Sequence, residues 1–272
     1  MKVNSITPQI LSNNNIPQNL KVSVIIPSHN TSHALPITLD HIFLQSYQNF
    51  EVIVIDALST DSTFSLINEY PKDKIKVITV PEHNYYKMLN KGISEATGDY
   101  VNCLFPGDYY LSMYTLQEII AYCQKRSLVY CGTFIRNNLS ENKTLLRELS
   151  NDHLKKGLQP TSIEACFFHM SLFELYGKFN EHYSYRGGFD YLCRISKKDI
   201  QVVQINKILL DSDFRKLSRR VIAKRLLETF KILKKHFGLK VAIEWFFTQK
   251  DLSRIFWITA SHIKRYFLGN NL

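Results

Sequence analysis

Residues 51–63, EVIVIDALSTDST, constrain the fold more than any other stretch of the chain. The run VIVI within it is β-branched throughout, and a run so short and stiff is unsuited to a helix interior. It predicts a strand that is buried on both faces, as strands are in parallel sheets. The strand ends at Asp56, and Ser59 follows among residues that favour the N-terminus of a helix, which is predicted to run to Pro71. Ligands bind at the carboxyl ends of strands in open α/β sheets, so Asp56 either binds a ligand or only accepts hydrogen bonds from its own loop.

The preceding stretch, residues 21–30 (KVSVIIPSHN), also has an apolar run followed by polar groups. Pro27 cannot donate to a strand ladder, so the predicted strand ends there, and Ser28 and Asn30 fall in the loop beyond it. Apolar residues at helical spacing in 35–44 predict a helix between the two strands, and a right-handed crossover makes these strands parallel. Further strands are predicted at 76–80, 100–104, 128–135 and 200–205. We therefore expect an α/β fold with a mostly parallel central sheet flanked by helices.

A second acidic residue follows the predicted strand at 100–104. The sequence there continues as FPGDYY, which puts Asp108 just beyond the carboxyl end of the strand. Because the carboxyl ends of parallel strands meet at one edge of a sheet, we predict that Asp56 and Asp108 face the same pocket.

The cysteines and the N-terminal residues indicate a protein of the reducing cytoplasm. The five cysteines form no CxxC pair, which argues against a disulfide framework or a zinc site. Residues 1–20 are polar and have no apolar core, so they predict a loose tail and not a signal peptide. No window of about 18 apolar residues occurs, and no transmembrane helix is predicted.

The net charge of +10 is concentrated near the C-terminus. Residues 215–272 contain 14 lysines and arginines against 3 acidic residues, whereas residues 1–214 contain 20 against 21. This change in composition predicts a boundary between a domain at 21–214 and a basic extension at 215–272.

The basic extension is predicted to form amphipathic helices. Apolar residues recur at helical spacing in 217–237 and again in 252–267, with basic residues between them. Helices of this kind lie on anionic membranes, which predicts a peripheral protein on the inner face of the membrane. The alternative is that the apolar faces pack on the α/β domain while the charges are solvated. Nucleic acid is not an expected partner, because no recognition module accompanies the charge.

Four motifs, in this order, resemble family 2 glycosyltransferases with the GT-A fold: VSVIIPSHN, EVIVIDALSTDST, MLNKGISEATGDYV and SLFELYGKFNEHY. The similarity extends over roughly residues 21–211. It implies an inverting glycosyltransferase that moves a sugar from a nucleotide-diphosphate sugar donor to an acceptor hydroxyl. Together with the basic extension, it predicts a cell-surface or lipid-linked glycan acceptor and a role in cell-envelope glycan biosynthesis.

The resemblance also implies roles for individual residues. It assigns the first loop to the nucleotide pocket, Asp56 to recognition of the nucleoside, and the segment around Asn90 to closure over the donor. The implied nucleotide-sugar-binding residues are Pro27, Ser28, Asn30, Asp56, Ser59, Lys91 and Gly92. For Lys91 the alternative is an ordinary solvated residue of a helix.

Two catalytic positions depart from the family pattern. Phe105 and Gly107 stand where an acidic-x-acidic motif usually holds a divalent metal, which leaves Asp108 as a catalytic residue and the metal ligand. Mg²⁺ or Mn²⁺ is still expected, because Mg²⁺ can be held by one carboxylate with substrate phosphates and waters. Gly188 stands where the general base is usual. Asp190, two residues further on, either takes over that catalytic role or only packs or caps a helix.

These departures leave a second function open. A catalytically inactive glycosyltransferase fold that binds a nucleotide or a partner at the membrane would also carry the four motifs. His83 and His169 are the other titratable side chains considered for catalysis, and each is also explained as an ordinary surface or core histidine.

Overall fold

The computed structural model describes residues 3–6, 19–81, 83–136, 141–213 and 219–248, and these ranges form a single ten-stranded sheet with helices packed against it. The strands are β1 (Val3–Ile6), β2 (Val22–Ser28), β3 (Phe50–Asp56), β4 (Ile75–Thr79), β5 (Tyr100–Cys103), β6 (Tyr109–Tyr110), β7 (Ser127–Arg136), β8 (Lys143–Leu145), β9 (Cys166–His169) and β10 (Gln201–Asp213). Their order is β1-β10-β7-β9-β5-β2-β3-β4, with β6 paired to β10 and β8 paired to β7.

The helices are α1 (Leu35–Phe43), α2 (Thr63–Ile67), α3 (Tyr85–Glu95), α4 (Thr115–Ile120), α5 (Asn151–Lys155), α6 (Met170–Tyr176), α7 (Gly187–Ile195), α8 (Arg219–Phe237) and α9 (Leu239–Phe247). A 3₁₀ turn, Ile163–Ala165, precedes β9. Strands β2, β3, β4 and β5 run parallel to one another, and β9 is antiparallel to both of its neighbours. The predicted α/β fold with a mostly parallel sheet is therefore confirmed.

The two halves of the core explain the unbroken apolar runs of β2 and β3. Successive side chains of a strand point to opposite faces of the sheet. In β3, Ile53 and Ile55 belong to one buried cluster, while Val52 and Val54 belong to the other. Both faces of the central strands are thus covered, as the continuous β-branched run requires.

Three elements differ from their predicted extents. Residues 3–6, expected in a loose tail, pair in parallel with β10, with Val3 opposite Val202; the remaining tail residues 1, 2 and 7–18 lie outside the described ranges. Helix α2 ends at Ile67, short of the predicted end near residue 71. Strand β10 continues beyond residue 205 to Asp213, because its second half still pairs with β7 after two irregularities in register.

The two C-terminal helices pack against the α/β domain. Ile232, Leu233, Ala242 and Trp245 are buried in the same cluster as the core residues of β3 and α7. For residues 219–248 this packing agrees with the alternative considered for the basic extension, and residues 249–272, with the predicted helix at 252–267, lie outside the described part. Within the described ranges, no helix combines the length and the apolar character that crossing a bilayer demands.

Candidate active site

The carboxyl ends of β2 and β3 lie side by side, with Ser28 paired to Asp56. The Asp56 carboxylate is buried and accepts hydrogen bonds from the Ser59 backbone N–H at 2.7 Å and from the Ser59 hydroxyl at 2.6 Å. Asn30, at a positive φ of 50°, donates its backbone N–H to the Ser59 Oγ at 2.8 Å and accepts from the Thr60 backbone N–H at 2.8 Å. Four of the predicted residues therefore meet in one rim, and Asp56 is engaged by its own loop, as the alternative for this residue required.

Two other predicted donor-binding residues lie on α3, away from this rim. The ammonium of Lys91 lies 2.7 Å from Oε1 of Glu95, and its side chain is exposed. Gly92 faces the sheet, where an added Cβ would lie 2.3 Å from Cγ2 of Ile25. These contacts show that Gly92 allows α3 to approach β2, and they favour the alternative of a solvated helix residue for Lys91. The predicted donor contacts of both residues stay a prediction.

Asn90 also has a structural role. Its side-chain amide donates to the backbone carbonyl of Phe179 at 2.9 Å and to Oε1 of Glu181 at 2.9 Å, and its oxygen accepts from the Phe179 backbone N–H at 3.0 Å. These bonds fasten α3 to the turn after α6. Asn90 and Gly92 therefore both serve packing, whereas Lys91 between them is exposed.

A cavity of about 400 Å³ opens beside the rim, between the ends of β2 and β5, the 3₁₀ turn, α7 and α8. Its walls include residues from all of these elements: Pro27, His29, Phe105, Asp108, Glu164, Phe189 and Arg225. The cavity therefore lies at the carboxyl edge of the sheet, where the sequence predicted a pocket. Asp108 lines it, but Asp56 does not, because its buried carboxylate supports the adjacent loop. The prediction that both aspartates face the same pocket is therefore wrong for Asp56.

Asp108 is held at the end of a tight turn. Gly107 adopts a φ of 102°, which favours glycine, and the Asp108 carboxylate accepts the backbone N–H groups of Asp213 at 2.8 Å and Phe105 at 3.1 Å. Burial raises the pKa of Asp108 well above its ordinary value, and the nearby carboxyl of Glu164 raises the pKa further. The turn thus presents to the cavity a carboxyl group whose ionised form a bound cation would stabilise.

Helix α8 contributes a positively charged side chain to the cavity wall. Arg225 lines the cavity, and burial lowers the pKa of its guanidinium. Arg136, on β7, lies behind Asp108, where it donates to the carbonyl of Gly107 at 2.8 Å and approaches Asp213 Oδ2 at 3.8 Å. The cavity therefore has carboxylates on one side and a guanidinium on another.

The carboxylates allow a divalent metal without forming a complete protein site for it. The described residues contain no group of three histidine, cysteine, aspartate or glutamate side chains placed to hold a metal ion. Asp108 and Asp213 nevertheless both line the cavity, and Mg²⁺ is commonly bound through one or two carboxylates plus substrate phosphates. Oxygen ligands of this kind fit Mg²⁺ or Mn²⁺.

Asp190 lies outside the cavity, in an ion cluster between α7 and α8. Its fully buried carboxylate contacts Arg194 at 3.0 Å, Lys235 at 3.0 Å and His236 at 2.8 Å. Burial by itself would raise the pKa of Asp190, but hydrogen bonds from His236, Lys235 and Arg194 outweigh burial and lower the pKa to about 2. These contacts favour the packing alternative for Asp190 over the predicted catalytic role.

Neither histidine considered for catalysis lines the cavity. His169 caps α6, with its Nδ1 2.8 Å from the Ser171 hydroxyl, and burial lowers the pKa of its imidazole. The ring of His83 packs edge-on against that of His29 at 4.2 Å between centroids.

The sequence analysis missed Glu164 and Arg225, which line the cavity, and Glu228, which supports the segment before α7. Glu164 comes directly before a short apolar run, and the other two occur in a basic helix, so no periodicity distinguishes them. Glu228 is buried and accepts the backbone N–H groups of Ser184, Tyr185 and Arg186 at 2.8–2.9 Å. A single acidic residue among the bases of α8 was the only available signal.

The family model of "Glycosyl transferase family 2" matches residues 23–185, which is more than half of the chain. The chain belongs to this family. It is a glycosyltransferase, and its α/β sheet is a GT-A fold, as the motifs predicted. A PGL/p-HBAD biosynthesis glycosyltransferase of Mycobacterium bovis is 26% identical over 216 residues, covering 76% of this chain and 82% of that protein. The putative glycosyltransferase EpsE of Bacillus subtilis is 38% identical over 85 residues, covering 30% of this chain and 31% of EpsE.

Solved structures with low sequence identity share the fold of this glycosyltransferase. S. aureus TarS 1-349, in a complex with UDP-GlcNAc, has a TM-score of 0.62 at 19% identity, covering 80% of this chain and 71% of that one. The mannosyltransferase PcManGT from Pyrobaculum calidifontis, in a complex with GDP-Man and Mn²⁺, has a TM-score of 0.59 at 16% identity, covering 89% and 79%.

Proposed function

We propose that this glycosyltransferase moves a sugar, with inversion at the anomeric carbon, from a nucleotide-diphosphate sugar to a hydroxyl of a cell-surface or lipid-linked glycan. The observation that carries the proposal is the cavity at the carboxyl edge of the sheet, where Pro27 and His29 adjoin Asp108. A nucleotide sugar needs a pocket for its base and an electrostatic partner for its diphosphate. We place the base beside the loops after β2 and β3, and the diphosphate beside Asp108 and Arg225 in the cavity.

The donor would lie with its nucleoside against the loops after β2 and β3 and its diphosphate toward Asp108 and Arg225. Asn30 and Ser59 hold these two loops together, and Asp56 fixes Ser59 from below. The relatives named above include proteins in complexes with UDP-GlcNAc and GDP-Man, which supports this donor class.

A divalent cation would be held by Asp108, with Asp213 beside it. Bound between the carboxylate and the diphosphate, Mg²⁺ or Mn²⁺ would supply positive charge for the leaving group. The guanidinium of Arg225 would add positive charge that belongs to the protein itself, because an arginine can donate paired hydrogen bonds to phosphate oxygens.

The proposal predicts that Arg225→Met weakens the binding of UDP or GDP by about 10-fold or more. A hydrogen bond to a charged group contributes about 1.5–3 kcal/mol, and the methionine keeps the apolar stem that packs in the cavity wall. Isothermal titration with each diphosphate, in the presence of Mg²⁺ or Mn²⁺, measures the change.

Lys91→Met is the matched control. It also removes one positive charge from an otherwise unchanged chain, but Lys91 lies outside the cavity and pairs with Glu95. Equal loss of affinity in both variants would contradict the proposed diphosphate position. Absence of diphosphate binding and of donor hydrolysis in the unmodified chain would contradict the donor site, and binding without turnover would favour the inactive alternative.

We further propose that residues 215–272 hold the enzyme on an anionic membrane surface. In the described part of this extension, Leu227, Leu239 and Ile243 are exposed, and Phe247 is 81% exposed, with exposed lysines along the same helices. Exposed apolar groups among basic ones suit the interface of an anionic bilayer.

Cosedimentation with vesicles tests the membrane proposal. We expect binding to vesicles containing phosphatidylglycerol, weaker binding as salt is raised, and none to vesicles of phosphatidylcholine alone, since each basic residue near an anionic surface contributes about 1 kcal/mol. Equal recovery with both lipids, or no recovery with either, would reject an electrostatic membrane anchor.

A further inference from the structure

Glu164 is a buried acid with unused hydrogen-bonding capacity inside the cavity. It is 5% exposed and lines the cavity together with Asp108. Its Oε2 has no hydrogen-bond partner among the described residues, whereas the Ser162 hydroxyl bonds to the carboxyl group. A buried carboxylate oxygen without a partner costs about 1–3 kcal/mol or more, so structure alone gives no reason to keep an acid here.

The start of α7, where the sequence has Gly188 in place of an acid, faces the same turn. An added Cβ at Gly188 would lie 2.8 Å from Cγ1 and 2.9 Å from Cδ1 of Ile163. The Ile163 side chain thus occupies the space that a side chain at 188 would need. Glu164, the next residue in the chain, lines the cavity that Gly188 also lines. The 3₁₀ turn therefore fills the space of a side chain at position 188 and also supplies a carboxyl group to the same cavity.

The turn that carries Glu164 is held firmly. The side-chain amide of Asn102, on β5, donates to the backbone carbonyls of Glu164 at 2.7 Å and Cys166 at 3.0 Å. The Tyr110 hydroxyl donates in turn to Oδ1 of Asn102 at 2.8 Å, and all of these groups are buried. Hydrogen bonds of this kind hold a catalytic group in one geometry, which reduces the rearrangement that the reaction requires.

We propose that Glu164 is the general base of the transfer reaction and replaces the acid missing at position 188. The inference rests on the proposed function. As the acceptor oxygen forms its bond to the anomeric carbon, its proton passes to the Glu164 carboxylate. The bond between the anomeric carbon and the diphosphate oxygen breaks, and its electron pair leaves with the nucleoside diphosphate. No further reactant is required.

The charged and titratable groups around Glu164 suit this role. Asp108 and Arg225 line the same cavity, Tyr86 and Gly188 face it from α3 and α7, and Cys103 lies within electrostatic range. Burial raises the pKa of the Glu164 carboxyl, although Ser162 and Arg225 oppose that effect. A base with a raised pKa binds the transferred proton more strongly than an ordinary glutamate does.

The test compares Glu164→Gln with the unmodified chain, with water as the acceptor. Nucleoside diphosphate release is measured from UDP-GlcNAc and GDP-mannose, and diphosphate affinity is measured by titration. We expect the rate of hydrolysis to fall by about 10²–10⁴-fold, as for loss of a general base, while the affinity for UDP or GDP stays within threefold. Because glutamine has nearly the same shape, the variant should keep its fold, which its melting temperature checks.

A second variant separates catalysis from support of the fold. Glu164→Ala leaves a space beside the acceptor, and added formate should restore part of its activity by supplying a carboxylate. Hydrolysis by Glu164→Gln at near the unmodified rate, or no rescue by formate, would overturn the assignment. If the unmodified chain binds diphosphate but hydrolyses neither donor, the base assignment fails while the donor site stands. If it binds no diphosphate, the proposed function itself fails.

Discussion

Replacing Asp108 by asparagine is expected to reduce nucleotide-sugar turnover by at least about 100-fold, the usual range for loss of one preorganised electrostatic group. The substitution removes the negative charge that would hold a divalent cation against the diphosphate. It also puts an amide where both carboxylate oxygens now accept backbone N–H groups, from Asp213 and Phe105. We therefore expect the metal-dependent part of UDP or GDP affinity to disappear, which titration with and without Mg²⁺ or Mn²⁺ measures.

Asp190→Asn is the matched control for this variant. It makes the same chemical change at another buried aspartate, but in the ion cluster outside the cavity. Turnover should stay within threefold, although the variant loses about 2–3 kcal/mol of stability at neutral pH. That contribution is present above the unfolded pKa of about 3.9 and is lost as the pH falls through the folded pKa of about 2. An Asp108→Asn variant with ordinary metal-dependent affinity would contradict the assignment of Asp108.

Glu228→Ala should lower the free energy of unfolding by about 3–5 kcal/mol, because three backbone N–H groups lose a buried, charged acceptor and a hydrogen bond to a charged group contributes about 1.5–3 kcal/mol. Its carboxylate accepts three backbone N–H groups, of Ser184, Tyr185 and Arg186, just before α7 begins. A negative charge there also interacts favourably with the N-terminus of the helix. At roughly 2–4 °C per kcal/mol for a domain of 150–250 residues, we expect the melting temperature to fall by about 10 °C.

Glu244→Ala is the control for Glu228→Ala. It removes the same charge from the neighbouring helix α9, where Glu244 is exposed, and the melting temperature should change by less than about 2 °C, because exposed substitutions usually stay within ±0.5 kcal/mol. Calorimetry of both variants measures the two melting temperatures. Similar melting temperatures for the two would mean that the amides before α7 find other partners.

The sheet was predictable from the sequence because its central strands carry their own signal. Continuous β-branched runs require burial on both faces, and β2 and β3 lie where these runs predict them. Strand β10 was predicted only to residue 205, because its second half mixes polar and apolar residues and depends on pairing with β7. The strand at residues 3–6 was not predicted, since it depends on pairing with residues 202–205, which come about 200 positions later in the chain.

The site was predictable where a functional residue follows a strand, as Asp108 does. It was not predictable where the role depends on distant neighbours. Asp190 is a plausible general base in the sequence, but Lys235 and His236, which pair with it, come more than forty residues later. Gly92 belongs to a family motif, and only the distance to Ile25 reveals that it serves helix packing.

The position of α8 has a practical consequence for how this enzyme can be divided. The family model stops at residue 185, yet the helix beyond it contributes Arg225 to the cavity wall, Glu228 to the amides before α7, and Lys235 to Asp190. A fragment cut where the family similarity ends would lack these side chains and also α7 and β10. We expect the shortest fragment that folds into an active enzyme to extend at least through residue 237. In this chain the folding unit therefore extends beyond the segment that the family model matches.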